Sequence, residues 1–340
     1  MTRNNRVTLL RVRGLVGCLI SLVACGGKDS DTLLVGDDTA TTEPTPNDDT
    51  APPGDDTGAP SLEGSCTDDV RWGSFAVESL EDYGYAAGSV LDGVVPTAVL
   101  TRVLDDGECT IWKRENPYCD GGCAPSEACG LDGVCVPYPV SQDVGTVTIE
   151  GLLQAVSMEP VTPGYTYFDT SLPNPPWTPG ATLRLRTGGE IYDPTVLQGV
   201  APTALELASL SWTVSRDRSF PLTWDTPSGA SLTEVMVKLS IDQHGITPSK
   251  LECRFADDGA GEIPAVALAA LMDLGVTGFP EGEIERRTVD RADLGAEGCL
   301  EFVSTWSRAL DIEIEGYTPC NRDEECPTGL SCNEELQRCE

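Results

Sequence analysis

Apolar and polar residues alternate with a period of two along much of the chain beyond residue 140. Val147 and Ile149 alternate with Thr146 and Thr148, and Leu183 and Leu185 with Arg184 and Arg186. The same rhythm runs through Phe220, Leu222 and Trp224, then through Val235, Val237, Leu239 and Ile241. Leu251, Cys253 and Phe255 point one way while Glu252 and Arg254 point the other, and Leu310, Ile312 and Ile314 alternate with Asp311, Glu313 and Glu315. This is the signature of strands with one buried and one wet face, as in antiparallel sheets. Shorter strands separated by turns are expected over 65–117, from Trp72 to Val77, Gly88 to Leu91 and Cys109 to Trp112. One helix interrupts the pattern, from Pro264 to Leu274, with proline near its first turn and Gly275 just past its end. It is apolar nearly all round, so it should plug the end of a sandwich.

The expected fold class is all-β: disulfide-stapled antiparallel β-sandwiches, one short helix, and two small cysteine-rich modules. The spacing of strands and turns divides the body into a sandwich over 65–205, interrupted by a module at 118–138, and a second over 206–317. The strand count of the second resembles an immunoglobulin or fibronectin type III topology. A C-terminal module occupies 318–340. With 35 glycines, 25 prolines and few aromatic residues, the composition favours short strands and turns over long helices.

Cysteine sharpens this picture. Twelve cysteines follow residue 60, at 66, 109, 119, 123, 129, 135, 253, 299, 320, 326, 332 and 339. An even set in an exported chain reads as six bridges. Cys66 with Cys109 and Cys253 with Cys299 are the expected long-range pairs. The other eight pair within Cys119/Cys123/Cys129/Cys135 and within Cys320/Cys326/Cys332/Cys339, each set allowing three connectivities. The first module has only Leu131 and Val134 as large aliphatics, so its bridges must hold it. Zinc is disfavoured by a single histidine and by the lack of paired C-x₂-C knuckles.

The C-terminal pattern C-x₅-C-P-x-G-x₂-C-x₆-C, from Cys320 to Cys339, resembles the Dickkopf N-terminal-like or EB-like cysteine-rich modules of bacterial lipoproteins. The stretch 119–135 resembles them more loosely, its first spacing being three. The resemblance implies an extracytoplasmic interaction or spacer module without catalysis.

Export is encoded at the N-terminus. Arg3, Arg6, Arg11 and Arg13 precede an uncharged run from Gly14 to Ala24, too short to span a bilayer. Leu22-Val23-Ala24-Cys25 resembles the lipobox of bacterial lipoproteins, which implies cleavage after residue 24 and acylation of the Cys25 thiol. Cys18, in Leu15-Val16-Gly17-Cys18, lacks a membrane-inserting run ahead of it. Gly26 in place of aspartate implies, by the same resemblance, the outer membrane. Residues 25–64 are expected to be a lipidated, acidic, Thr/Pro-rich tether, reaching about 35 Å as a flexible coil. Cleavage removes four of the 22 basic residues and none of the 55 acidic ones, so the net charge of −33 becomes −37. That field repels nucleic acid.

The chemistry offers few footholds. His244 stands alone, and Gly-x-Ser-x-Gly, phosphate-loop and dinucleotide-binding motifs are absent. Asp56-Thr57-Gly58 matches an aspartic-protease triplet only by composition. Asp105, Asp106 and Glu108, and Asp257, Asp258 and Glu262, cluster at turns where calcium would find oxygen ligands. Tyr165, Tyr167 and Trp177, among Pro173, Pro175, Pro176 and Pro179, would suit a sugar-stacking platform. The reading is therefore a lipid-anchored envelope protein, with no resident cofactor, that binds an envelope protein or a glycan or serves as architecture. Its rivals are a carbohydrate-binding surface protein and a hydrolase with two carboxylates in one site.

Overall fold

A computed structural model describes residues 60–340 apart from 97–98, 228–231, 242–248 and 296. The expectations for Cys25, Cys18, Asp56 to Gly58 and His244 lie outside the described residues. The chain runs β1 (Arg71–Ser79), β2 (Gly84–Val90), β3 (Thr101–Asp106), β4 (Cys109–Lys113), β5 (Glu127–Cys129) and β6 (Cys135–Pro137). Then come β7 (Val147–Glu150), β8 (Val156–Met158), β9 (Thr166–Asp169), β10 (Thr182–Arg186), β11 (Val196–Val200), β12 (Ser211–Val214) and β13 (Phe220–Thr223). The last stretch holds β14 (Glu234–Ser240), β15 (Ser249–Ala256), β16 (Ala260–Ile263), α1 (Ala265–Asp273), β17 (Glu281–Leu294), β18 (Gly298–Ile314), β19 (Cys332–Asn333) and β20 (Arg338–Cys339).

The spine is the hairpin of β17 and β18, paired from Glu281 opposite Asp311 to Leu294 opposite Gly298. It lies in a ten-stranded sheet ordered β3-β4-β15-β14-β17-β18-β1-β2-β9, with β12 also on β18. Most pairs are antiparallel, but β1 and β12 both run parallel to β18. The alternation read from the sequence sets which face is buried. Even-numbered residues of the spine face inward, and at its two ends they join two different cores.

One core joins Phe75, Val77, Leu300 and Phe302 to the four-stranded sheet β11-β10-β7-β8, through Val147, Ile149, Leu183, Leu185 and Leu197. The other joins Val235, Val237, Leu251, Phe255, Ile284 and Leu310 to the β13–β16 ribbon and to Ala267, Leu268 and Leu271 of α1. Pro264 caps that helix with extended backbone, and Gly275 adopts φ +106° just beyond it.

Two hydrophobic cores are therefore present, and in the middle of the chain residues of the first give way to residues of the second between Ala201 and Leu205. The division at 205 and 206 is nevertheless wrong as a division of chain. β3 and β4 leave the first segment to join the second core's half of the sheet, while Leu294, Leu300 and Phe302 return to the first core. The facing layer of the second core is a ribbon and a helix instead of a second full sheet, which departs from the immunoglobulin or fibronectin arrangement. A long hairpin that reaches both cores makes this exchange unavoidable.

Between the cores the inward face of the spine turns polar, with Arg286, Thr288, Asp290 and Ser304 all buried. Thr288, Asp290 and Ser304 complete the outer edge of β11. The Gln198 amide donates to Asp290 at 2.7 Å and the Val200 amide to Thr288 at 3.1 Å, while Ser304 donates to the Val200 carbonyl at 3.2 Å. An edge strand thus finds side-chain partners where no further strand exists. Gly199 permits this approach, since a Cβ there would lie 3.2 Å from Ser304 Oγ and 3.3 Å from Thr288 Oγ1. Asp290 also accepts the Glu63 amide at 2.9 Å, so the end of the expected tether lies against the sheet.

Candidate binding face

All twelve cysteines after residue 60 are bridged, but the two long-range pairs are exchanged relative to expectation. Cys66 bonds Cys299, and Cys109 bonds Cys253. Cys109 stands directly opposite Cys253 in the antiparallel register of β4 and β15, with 4.0 Å between their Cα atoms. Cys66 precedes β1, whose parallel run along β18 begins with Arg71 opposite Cys299. Pairing by proximity in sequence missed both because the sheet brings distant strands together. In the modules Cys119 bonds Cys129 and Cys123 bonds Cys135, and Cys320 bonds Cys332 and Cys326 bonds Cys339. First to third and second to fourth is one connectivity used twice. In each module the third and fourth cysteines face each other across a two-stranded ribbon. The sulfurs close enough to share a metal, in Cys119, Cys123 and Cys129 and in Cys320, Cys326 and Cys339, are all engaged in these bridges.

The expected sugar platform does not form. Trp177 and Tyr167 are core residues, 2% and 1% exposed. The Trp177 indole donates to the Pro202 carbonyl at 2.9 Å, and the Tyr167 hydroxyl accepts the Val144 amide at 3.0 Å. Tyr165 is half-buried, which leaves no exposed aromatic group of three. The prolines tuck these rings inward, where their polar ends find backbone partners.

One calcium candidate also fails. The Asp257 carboxylate, fully buried, meets Arg286 Nε at 2.9 Å and accepts the Trp224 indole at 2.8 Å and the Thr233 hydroxyl at 2.5 Å. Its oxygens are consumed inside the protein, so Asp257, Asp258 and Glu262 do not share a cation loop. Asp105 pairs with Arg102 at 2.7 Å. Asp106 and Glu108 close the β3–β4 turn without a deeper cluster.

The outward face of the long sheet carries the chemistry that remains. On β14, β15 and β17 the residues alternating with the core are Glu234, Lys238, Glu252, Arg254, Glu283, Glu285 and Arg287. Register places Lys238 opposite both Glu283 and Glu252, and Glu234 opposite Arg287. Lys238 reaches both Glu285 and Glu283, Arg287 holds Glu234 at 2.7 Å, and Lys250 holds Glu252 at 2.6 Å. Burial, then the charge of Glu285, pushes the Glu283 carboxyl up to about 7 against the pull of Lys238. Burial also raises Glu78, which faces Tyr85 across β1 and β2. Burial works against the charge on Lys238, but Glu285 and Glu283 outweigh it and hold the ammonium above its ordinary value.

At one side of this face lies a cavity of about 710 Å³, lined by the segment Cys66 to Arg71, by Val99 and Leu100, and by outward residues of β3, β4 and β15. A bulge between Arg102 and Leu104 turns Arg102 outward beside Trp112, and its guanidinium lies 5.3 Å from the indole centroid. Arg71 pairs with Asp68 and reaches Glu301 at 3.4 Å. Glu252 and Arg254 connect the cavity to the ionic ladder. Of its lining the sequence singled out Glu108, as a cation ligand, but not the cavity itself, because its parts lie in three separate segments and a bulge interrupts the register beside Arg102.

No known family model and no curated protein matches the chain.

Proposed function

We propose that this is an exported, lipid-anchored cell-envelope protein of the outer membrane, with a non-catalytic binding or structural role. The observation that carries the reading is the complete pairing of the twelve cysteines, which an oxidising compartment sustains and a reducing cytosol does not. The lipobox at Leu22 to Cys25 supplies the anchor. Among the described residues no helix is long and apolar enough to cross a membrane. Several acyl chains, each methylene worth ~0.8 kcal/mol on burial, hold a protein where one chain does not. Mass spectrometry of the native protein is expected to find Cys25 as the first residue and an acyl mass upon it. Cys25→Ser should leave the chain uncleaved and unacylated, and an acyl-free N-terminus on the wild type would refute the anchor.

The hydrolase has one observation behind it. Glu283, its carboxyl raised to about 7, lies two residues from Glu285 on the same face, and a carboxyl raised in this way suits the general acid of glycoside hydrolysis. Against it, Glu285 is held by both Lys238 and Arg287, an arrangement that fixes charge more than it frees a nucleophile. Turnover of chromogenic glycosides, abolished by Glu283→Gln, would establish the hydrolase.

A further inference from the structure

The cavity beside the ionic ladder has the size of a ligand site, within the roughly 300–1,000 Å³ that such sites occupy. Its polar groups are carried by three adjacent strands and by a segment stapled through Cys66 to Cys299. Arg71, Arg102 and Arg254 supply three guanidiniums to its wall, and Asp68, Asp69, Glu108 and Glu252 supply four carboxylates. Lys250 beside Glu252 and Asp105 beside Arg102 extend the same balance outward.

This balance selects the ligand. An anion would meet four carboxylates in a protein of net charge −33, and a cation would meet three guanidiniums. An apolar ligand would strip water from both sets without replacing its hydrogen bonds, at a cost of order 1–3 kcal/mol for each group. A neutral molecule rich in hydroxyls donates to the carboxylates and accepts from the guanidiniums at once. Trp112, half-buried in the wall with the Arg102 guanidinium over its ring, adds an aromatic surface that an apolar C–H face would share with that guanidinium. We infer that this cavity binds a neutral oligosaccharide, with Trp112 as the packing surface and Arg254 and Glu252 as hydrogen-bonding partners. The site is distinct from the region of Tyr165 to Trp177, where the Tyr167 and Trp177 rings are buried. The inference rests on the binding role proposed above and not on the lipid anchor.

The test uses the mature native protein in a zwitterionic, sugar-free detergent, applied to an array of neutral and charged oligosaccharides together with short charged peptides. At least one neutral oligosaccharide should bind. Its affinity should change little between about 0.05 and 0.5 M salt, as expected without net charge on the ligand. Arg254→Ala should weaken binding roughly tenfold or more, as should Trp112→Ala. The Arg254 side chain is exposed, so that variant keeps its fold and separates loss of binding from loss of structure. No neutral ligand on the array, binding that survives both substitutions, or binding confined to charged ligands and weakened steeply by salt would each overturn the inference. The acyl mass measured on the same sample reports the anchor separately.

Discussion

Asp257 and Arg286 are the most consequential pair of residues in the body. Their side chains are 0% and 1% exposed, and Arg286 also donates to the Thr203 hydroxyl at 2.8 Å and the Ala204 carbonyl at 3.0 Å. Asp257→Ala removes the countercharge and leaves a buried guanidinium, so it should destabilise by about 3–5 kcal/mol in urea titrations under non-reducing conditions. Replacing both residues with apolar ones of similar volume should recover much of that loss. Glu283 gives a prediction of different sign. Its folded value of about 7 exceeds the ordinary 4.5, so between those values the folded state holds the proton more tightly. Its contribution is complete below pH 4.5 and is lost as pH rises through about 7, because stability falls wherever the native state binds more protons. Thermal melts of Glu283→Gln should be flatter with pH over that window than those of the wild type. Neither role was legible in the sequence. Asp257 read as a turn carboxylate because its partner lies 29 residues away, and Glu283 is one of 55 acids.

Among the elements, period-two alternation identified the buried face correctly wherever it was sustained, in β7, β10, β14, β15 and the end of β18. Proline, glycine and an unbroken apolar run were sufficient for α1. Partner choice was only partly legible, because beside a sequential partner many strands take a second one from a distant segment: β15 lies between β14 and β4, and β18 between β17 and β1. The bridges record the same distances. Non-reducing peptide mapping should recover Cys66 linked to Cys299 and Cys109 linked to Cys253, with no Cys66–Cys109 peptide. In the chain-entropy model a bridge closing 233 residues is worth about 5 kcal/mol, and one nested inside it less. Removing Cys66 and Cys299 together should therefore lower the melting temperature markedly.

For the molecule as a whole, the all-β class and the disulfide-rich character were legible in composition and alternation, whereas export remains the proposal made from the N-terminal pattern. The two modules share one connectivity yet present different surfaces. The Leu336 carbonyl in the C-terminal module accepts the Gly278 amide at 3.1 Å, whereas Leu131 and Val134 in the first module stay exposed. The shared spine constrains the order of assembly. Both cores draw residues from β18, which ends at Ile314, so a nascent polypeptide released N-terminus first holds two unfinished halves until nearly its entire length has emerged. If the chain is exported as proposed, passage through a narrow conduit needs it unfolded, and a fold whose halves both close on a late strand would suit that need.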